Sequence, residues 1–307
     1  MNEWLAVVIG AQAVLVATPL LLAGLGELYA ERCGVLNLGI EGMMLIGCIT
    51  AFAVTATTGN PWLGLAASMA AAVALGAVFA VLAITAKADQ IVAGMAVNLL
   101  AFGASGTVWQ VLQQRGFDQL QRGFERGWTE VGWLERLPLL GPWLFGQYGL
   151  TPVVIGMALA LAWALARTRL GLAVTALGEE PAAAAAAGIA VRRWRWCAVL
   201  AAAACAGAAG AFLSIMRTYA FVPHMTGGLG FVVLTLVMFG RWRVAWLASG
   251  CLLFGLAEAV QQQAQSLSTA RAVPYQLFQM LPYAVALAAL ALLSRSRPGP
   301  AALGRPW

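Results

Sequence analysis

The 307-residue sequence has a single lysine, Lys87, a single histidine, His224, and charged side chains at only 10% of positions. With 62% hydrophobic residues, too little polar surface remains to wrap a water-soluble core, so a soluble domain is excluded. One histidine provides neither a multi-histidine metal centre nor a histidine relay. The cysteines (Cys33, Cys48, Cys197, Cys205 and Cys251) fall mostly in apolar runs and form no C-x-x-C pair. They read as small core residues, with no zinc site or disulfide framework. No G-x-x-x-x-G-K-[ST] loop occurs, and Lys87 follows an apolar run with no glycine loop before it. No Ser/His/Asp or paired-Asp constellation appears within the apolar runs, which disfavours an intramembrane enzyme.

What the sequence has instead is long apolar runs, near 4–26, 35–57, 62–86, 90–113, 149–167, 196–216, 243–262 and 276–294. A further stretch, 221–240, contains Pro223 and several glycines that leave only a short helix from about Gly230. Counting it as a broken crossing gives nine spans at about 20 residues each and places the termini on opposite sides. The expected fold is an all-α polytopic membrane protein of about 8–10 transmembrane helices with broken or re-entrant segments, forming one domain over 1–307. Glu3 and the absence of a basic residue before the first run mark it as a retained span rather than a cleaved signal.

The +6 charge is mostly arginine, and in such a chain its placement reports membrane sidedness rather than nucleic-acid binding. With the N-terminus outside, Arg32, Lys87, the arginines of 167–195, Arg241, Arg243 and those beyond 294 all fall on the cytoplasmic side. These make up most of the 18 basic residues. The expectation is therefore N-terminus out, C-terminus in. The longest polar stretch, 114–148, is then an external loop carrying Trp128, Trp133, Trp143 and Tyr148, residue types suited to an interfacial belt.

Glu31 to Met44 (ERCGVLNLGIEGMM) sets two carboxylates, an arginine and an amide inside apolar sequence, a costly placement that points to a protected interior. Gly34, Gly39 and Gly42 allow a broken helix, tolerated where the freed backbone faces protein or a water-filled cavity. Asn37 and Glu41, four apart, share a face if helical, with Glu41 about 10 Å into the membrane. They read either as a polar wall of a solute path or as an interhelical clamp. Glu27 and Glu31 are expected to brace the break through an ion pair with Arg32. Asn98 falls near mid-membrane, as interhelical glue or cavity lining. Thr226 and His224 sit in the PHMTGG break before a half-helix whose N-terminus offers free N–H groups, with Phe231 just beyond. Glu258, followed by Gln261, Gln262 and Gln263, falls in the outer half of its span, facing a vestibule or a subunit contact.

The cytoplasmic loop 168–195 contains GEEPAAAAAAG. Gly178, Glu179 and Glu180 lead into Pro181 at a first helical position, and Gly188 ends the alanine run. This predicts a short helix of about two turns, isolated from the spans and offering small side chains to a partner; the alternative is a low-complexity linker.

ERCGVLNLGIEGMM, GEEPAAAAAAGI before a basic span start, and HMTGGLGFVVLTLVMFGRWR at 224–243 occur in that order. Together they resemble the permease subunits of bacterial ABC importers for nucleosides, within the wider group for simple sugars and branched-chain amino acids. The resemblance covers essentially the whole chain. It implies a type II importer with a second, longer permease, cytoplasmic ABC ATPase subunits and an extracytoplasmic substrate-binding protein or lipoprotein in the inner membrane. ATP would be used by the ATPase, and the permease would carry no cofactor or metal. The 178–190 loop would be the coupling helix seated on the ATPase, although the family commonly has a basic residue where this chain has only alanine. The substrate path would involve Asn37, Glu41, Asn98, Thr226, Phe231 and Glu258. The alternatives are a simple-sugar permease within the family and an ion-coupled secondary transporter using Glu41 or Glu258.

Overall fold

A computed structural model describes residues 2–120, 123–124, 143, 146–266, 280, 283–284 and 299–305. The described elements are helical: α1 (Asn2–Arg32), α2 (Ile40–Thr58), α3 (Pro61–Ala80, continued by a π-helical turn Val81–Thr85) and α4 (Gln90–Gln114). They are followed by α5 (Leu150–Arg167), α6 (Arg169–Glu179), α7 (Pro181–Ala186) and α8 (Val191–Ala211, continued by a π-helical stretch Phe212–Thr218). α9 (Leu229–Phe239) and α10 (Val244–Ser266) complete the set. Among the described residues, seven helices are long and apolar enough to cross a membrane, and α9 is a shorter apolar helix. These match eight of the nine expected crossings. The last, 276–294, lies outside the described residues except Met280, Tyr283 and Ala284.

The centre of the bundle is α1, α2 and α8, with α10 packed on α1, and α3 and α4 on α2. Small residues make these close crossings possible: a Cβ on Gly47 would lie 2.5 Å from the Gly207 carbonyl oxygen, so the α2 and α8 backbones touch. Asn60 caps α3 by accepting from Trp62 N–H at 3.0 Å, and Asp89 caps α4 by accepting from Ile91 N–H at 2.9 Å. Outward faces of α4 and α5 expose Val92, Leu99, Leu159 and Trp163, as expected of helices whose solvent is lipid or another subunit.

One end of the bundle gathers Arg32, Lys87 and the α6–α7 elbow, and there Arg192 Nη2 at the start of α8 donates to Thr85 Oγ1 at the end of the α3 extension at 3.0 Å. The other end holds the start of α1, where Trp143 donates to the Val7 carbonyl at 3.2 Å, and a Tyr148–Tyr219 hydroxyl pair at 3.3 Å. Tyr148 is not a belt residue. It is buried, edge-on to Phe212 and packed with Leu15, Ala51, Ile215 and Met216. Trp128 and Trp133 lie outside the described residues, as does most of the 114–148 loop.

Candidate functional site

Between α1 and α2 the chain is not helical, and Gly34 adopts a left-handed conformation (φ 84°) that its lack of a Cβ permits. Amides released from a helix inside a membrane must find partners within the protein. Val35 N–H reaches the Ala30 carbonyl at 3.1 Å, Leu36 N–H the buried Gln90 Oε1 at 2.7 Å, and Asn37 N–H the Glu27 Oε1 at 3.1 Å. Gly39 N–H donates to Asn37 Oδ1 at 3.1 Å. Asn98 serves both sides of the break, accepting from Gly42 N–H at 2.8 Å while its Nδ2 donates to the Leu38 carbonyl at 2.9 Å. Since α2 begins at Ile40, Asn37 and Glu41 share no helical face. The break that exposes their polarity also takes Asn37 off the helix.

Packed against α1 and α2, on either side of this break, is α9, whose 11 residues rise about 16 Å, roughly half of a 30 Å hydrocarbon core. The Glu41 carboxylate covers the N-terminus of α9. Oε1 accepts from Thr226 Oγ1 at 2.5 Å and from Gly228 N–H at 2.9 Å, and Oε2 accepts from Gly230 N–H at 2.6 Å. A negative group at exposed helix N–H groups is electrostatically favourable, more so in a low-dielectric interior. At the far end of α9, Trp242 has its carbonyl 2.8 Å from Arg32 Nε and donates its indole N–H to Glu31 Oε2 at 2.5 Å. Arg241 and Trp242 both have positive φ, 50° and 55°, a conformation unusual for bulky residues and held by this double contact. The two broken elements are thus tied together at both ends. Neither Glu27 nor Glu31 pairs with Arg32. Adjacent positions on a helix face different directions, and Arg32 turns to the Trp242 carbonyl.

On the other side of the 222–229 loop lies a cavity of about 570 Å³, within the range of small-molecule sites. Arg217, Thr218, Met225, Thr226, Glu258 and Gln262 contribute to its lining. Arg217 Nη2 and Glu258 Oε1 form an ion pair of 2.7 Å, and Gln262 Nε2 donates to the same oxygen at 3.1 Å. An ion pair between two transmembrane elements indicates a face turned to a polar cavity rather than to lipid.

At the opposite end, α6 and α7 make an elbow. Thr168 caps α6, Pro181 stands at the first position of α7, and Gly188 (φ 84°) follows its end, as the sequence pattern dictates. Ala184 is buried against Ala30, Val174 and Val191, while Ala182, Ala183, Ala185, Ala186 and Ala187 are exposed together with Glu179 and Glu180. One side of the elbow is fixed to the bundle and the other is free.

Of the residues expected to line a path, Thr226 and Glu258 reach the cavity. Asn37, Glu41 and Asn98 lie away from its lining with polar atoms bonded to the breaks, Glu41 one hydrogen bond from the wall through Thr226. Phe231 is 39% exposed on the outer face of α9. His224 is exposed, with its ring 5.2 Å from that of Phe102. Sequence reasoning missed Arg217, Gln90, Trp242 and Arg195 as site-forming residues. Only the presence of Arg217 and Gln90 inside or beside apolar runs hinted at them.

Two broken elements clamped to each other, a cavity with an ion pair in its wall and an elbow at one end define a polytopic helical protein built as a membrane permease. The chain belongs to the family described as the permease component of the branched-chain amino acid transport system, which matches residues 10–290. It is 43% identical over 258 residues to a Haloferax volcanii protein provisionally named a glucose ABC transporter permease, covering 83% of this chain and 77% of that one. It is 30% identical over 299 residues to the Bacillus subtilis guanosine ABC transporter permease, covering 95% and 93% of the two chains. It is also 30% identical over 292 residues to a Lactococcus lactis nucleoside ABC transporter permease, covering 93% and 92%. No solved structure matches the chain.

Proposed function

We propose that this chain is one of two permease subunits of an ATP-driven importer and forms part of the path for a nucleoside. The observation that carries the reading is similarity to the guanosine and nucleoside permeases along almost the full length of both chains. A simple sugar is the second reading, favoured by the 43% identity to the protein named for glucose. Both solutes are uncharged and rich in hydroxyls, suited to a cavity whose charges are internally paired.

In this account the N-terminus is outside, the elbow is cytoplasmic, and the exposed alanines of 182–187, with Gly178, Glu179, Glu180, Pro181 and Gly188 setting their position, contact an ABC ATPase. The chain itself uses no cofactor. ATP is hydrolysed by the partner, and an extracytoplasmic binding protein delivers the solute to the mouth of the cavity between this chain and a second, longer permease. Thr226 and Glu258 line the path. Asn37, Glu41 and Asn98 hold the broken elements that form its wall. Phe231 is placed to meet solute only across the interface with the second permease.

The test is uptake of labelled guanosine, uridine and glucose by proteoliposomes containing the whole complex. Uptake requiring ATP and the binding protein supports the proposal, with the preferred solute deciding between its two forms. Uptake by this chain alone, driven by a proton or sodium gradient, makes it a secondary transporter instead.

A further inference from the structure

Arg195 sits at the start of the second turn of α8, in a run whose other arginines, Arg192 and Arg193, are exposed, yet it is only 2% exposed. Its Nε donates to the Cys33 carbonyl at the end of α1 at 3.1 Å, and its Nη1 to the Arg305 carbonyl at 2.9 Å. In the same place Ala302 N–H donates to the Gly178 carbonyl at 2.8 Å, joining the 299–305 segment to the end of α6. The packing has no slack. A Cβ on Gly34 would lie 2.7 Å from Arg195 Nη2, one on Gly178 2.3 Å from the Arg32 carbonyl, and one on Gly299 2.5 Å from the Trp242 ring. The end of α1, the elbow, the start of α8, the α9–α10 corner and the 299–305 segment therefore meet at one joint.

We propose that Arg195 is a positioning residue which, together with the 299–305 segment, locks the α6–α7 elbow to the start of the 33–39 break. A displacement of the elbow then reaches the cavity wall without being absorbed on the way. The proposal rests on the reading of the elbow as the ATPase contact. From the joint, the non-helical segment leads to Glu41 and α9 leads back to its own N-terminus, where Glu41 holds Thr226, and Thr226 lines the cavity. Close-packed elements of this kind shift between discrete arrangements rather than deforming smoothly. The arginine fork suits the task because it engages carbonyls on two separate segments from fixed directions, which a lysine ammonium on a flexible stem does not.

The test uses the complete transporter in proteoliposomes, with labelled guanosine or glucose, whichever the unaltered complex takes up, carrying Arg195→Lys, Arg195→Gln or a deletion of 299–307. Three quantities are read: assembly with the ATPase, ATP hydrolysis stimulated by the binding protein, and solute imported. The expected result is intact assembly and near-normal hydrolysis with about tenfold less solute per ATP, and no rescue by lysine. If Arg195→Gln fails to assemble, the deletion decides, because it leaves Arg195 in place. Uptake and hydrolysis that are unchanged, that fall in the same proportion, or that disappear because the deleted chain does not assemble would each overturn the proposal. The elbow reading is checked separately by cross-linking Ala186→Cys, in an otherwise unaltered chain, to the ATPase. Loss of that cross-link removes the elbow reading; a normal cross-link with proportional losses removes only the joint.

Discussion

Glu41 on α2 and Gly230 on α9 are 189 positions apart in sequence and joined by a 2.6 Å hydrogen bond. A Cβ on Gly230 would lie 2.6 Å from the Glu41 Cα, so the start of one broken element is pressed against the start of the other. Glu41 is 3% exposed and its carboxylate has three donors. The anion-binding capacity of the half-helix is therefore met from within the protein.

Replacing Glu41 with Gln turns an NH2 group toward a donor and removes the charge that strengthens these bonds. We expect Glu41→Gln to lower stability by about 2 kcal/mol, seen as a lower melting temperature of the purified complex, and to reduce uptake while leaving assembly intact. Unchanged uptake kinetics would separate the clamp from transport.

Asn98 supplies one acceptor and one donor to the backbone of the break. Asn98→Ala leaves Gly42 N–H and the Leu38 carbonyl without these partners and should cost about 2 kcal/mol or more by the same melting assay. A change within measurement error would mean that water or a shift of α4 replaces both bonds.

Arg217 and Glu258 neutralise each other in the cavity wall. Arg217→Gln or Glu258→Gln leaves one charge unpaired in the cavity wall, and each should lower uptake of a neutral solute by about tenfold. The exchanged pair, Arg217→Glu with Glu258→Arg, should recover part of the loss. Equal losses in the single and exchanged variants would show that the individual side chains matter rather than their pairing.

Ala184 N–H donates to the Glu180 carbonyl at 3.1 Å inside α7. Ala184→Pro removes that bond and disrupts the only described helix between α6 and α8, a local cost of about 3 kcal/mol. We expect membrane insertion to persist and transport to be lost. Full activity would make the elbow a linker.

Much of the fold is legible in the sequence because apolar runs of membrane length have few structural alternatives. The elbow is legible because Pro181 and Gly188 mark the two ends of a helix. The break near Gly34 is visible as misplaced polarity. Its exact register is not, and so Asn37 and Glu41 look like neighbours on a helix that begins only at Ile40. Relations between distant residues are the hardest to read. Nothing local distinguishes Arg195 from the exposed Arg192 and Arg193, and burial alone makes it a joint. Arg217 and Glu258 are 41 positions apart on separate helices, and only their packing makes them a pair.

The most direct test of the account is whether solute occupies the cavity. In a chain with the exposed Cys197 changed to Ser, Thr218→Cys and Met225→Cys place thiols in the cavity lining. Labelling of the assembled complex by a membrane-impermeant maleimide is then followed from the extracytoplasmic side. The account predicts labelling without ATP, protection by binding protein loaded with guanosine or glucose, and loss of labelling when the complex is trapped with bound ATP. Labelling at both positions that is indifferent to solute and to ATP would contradict it.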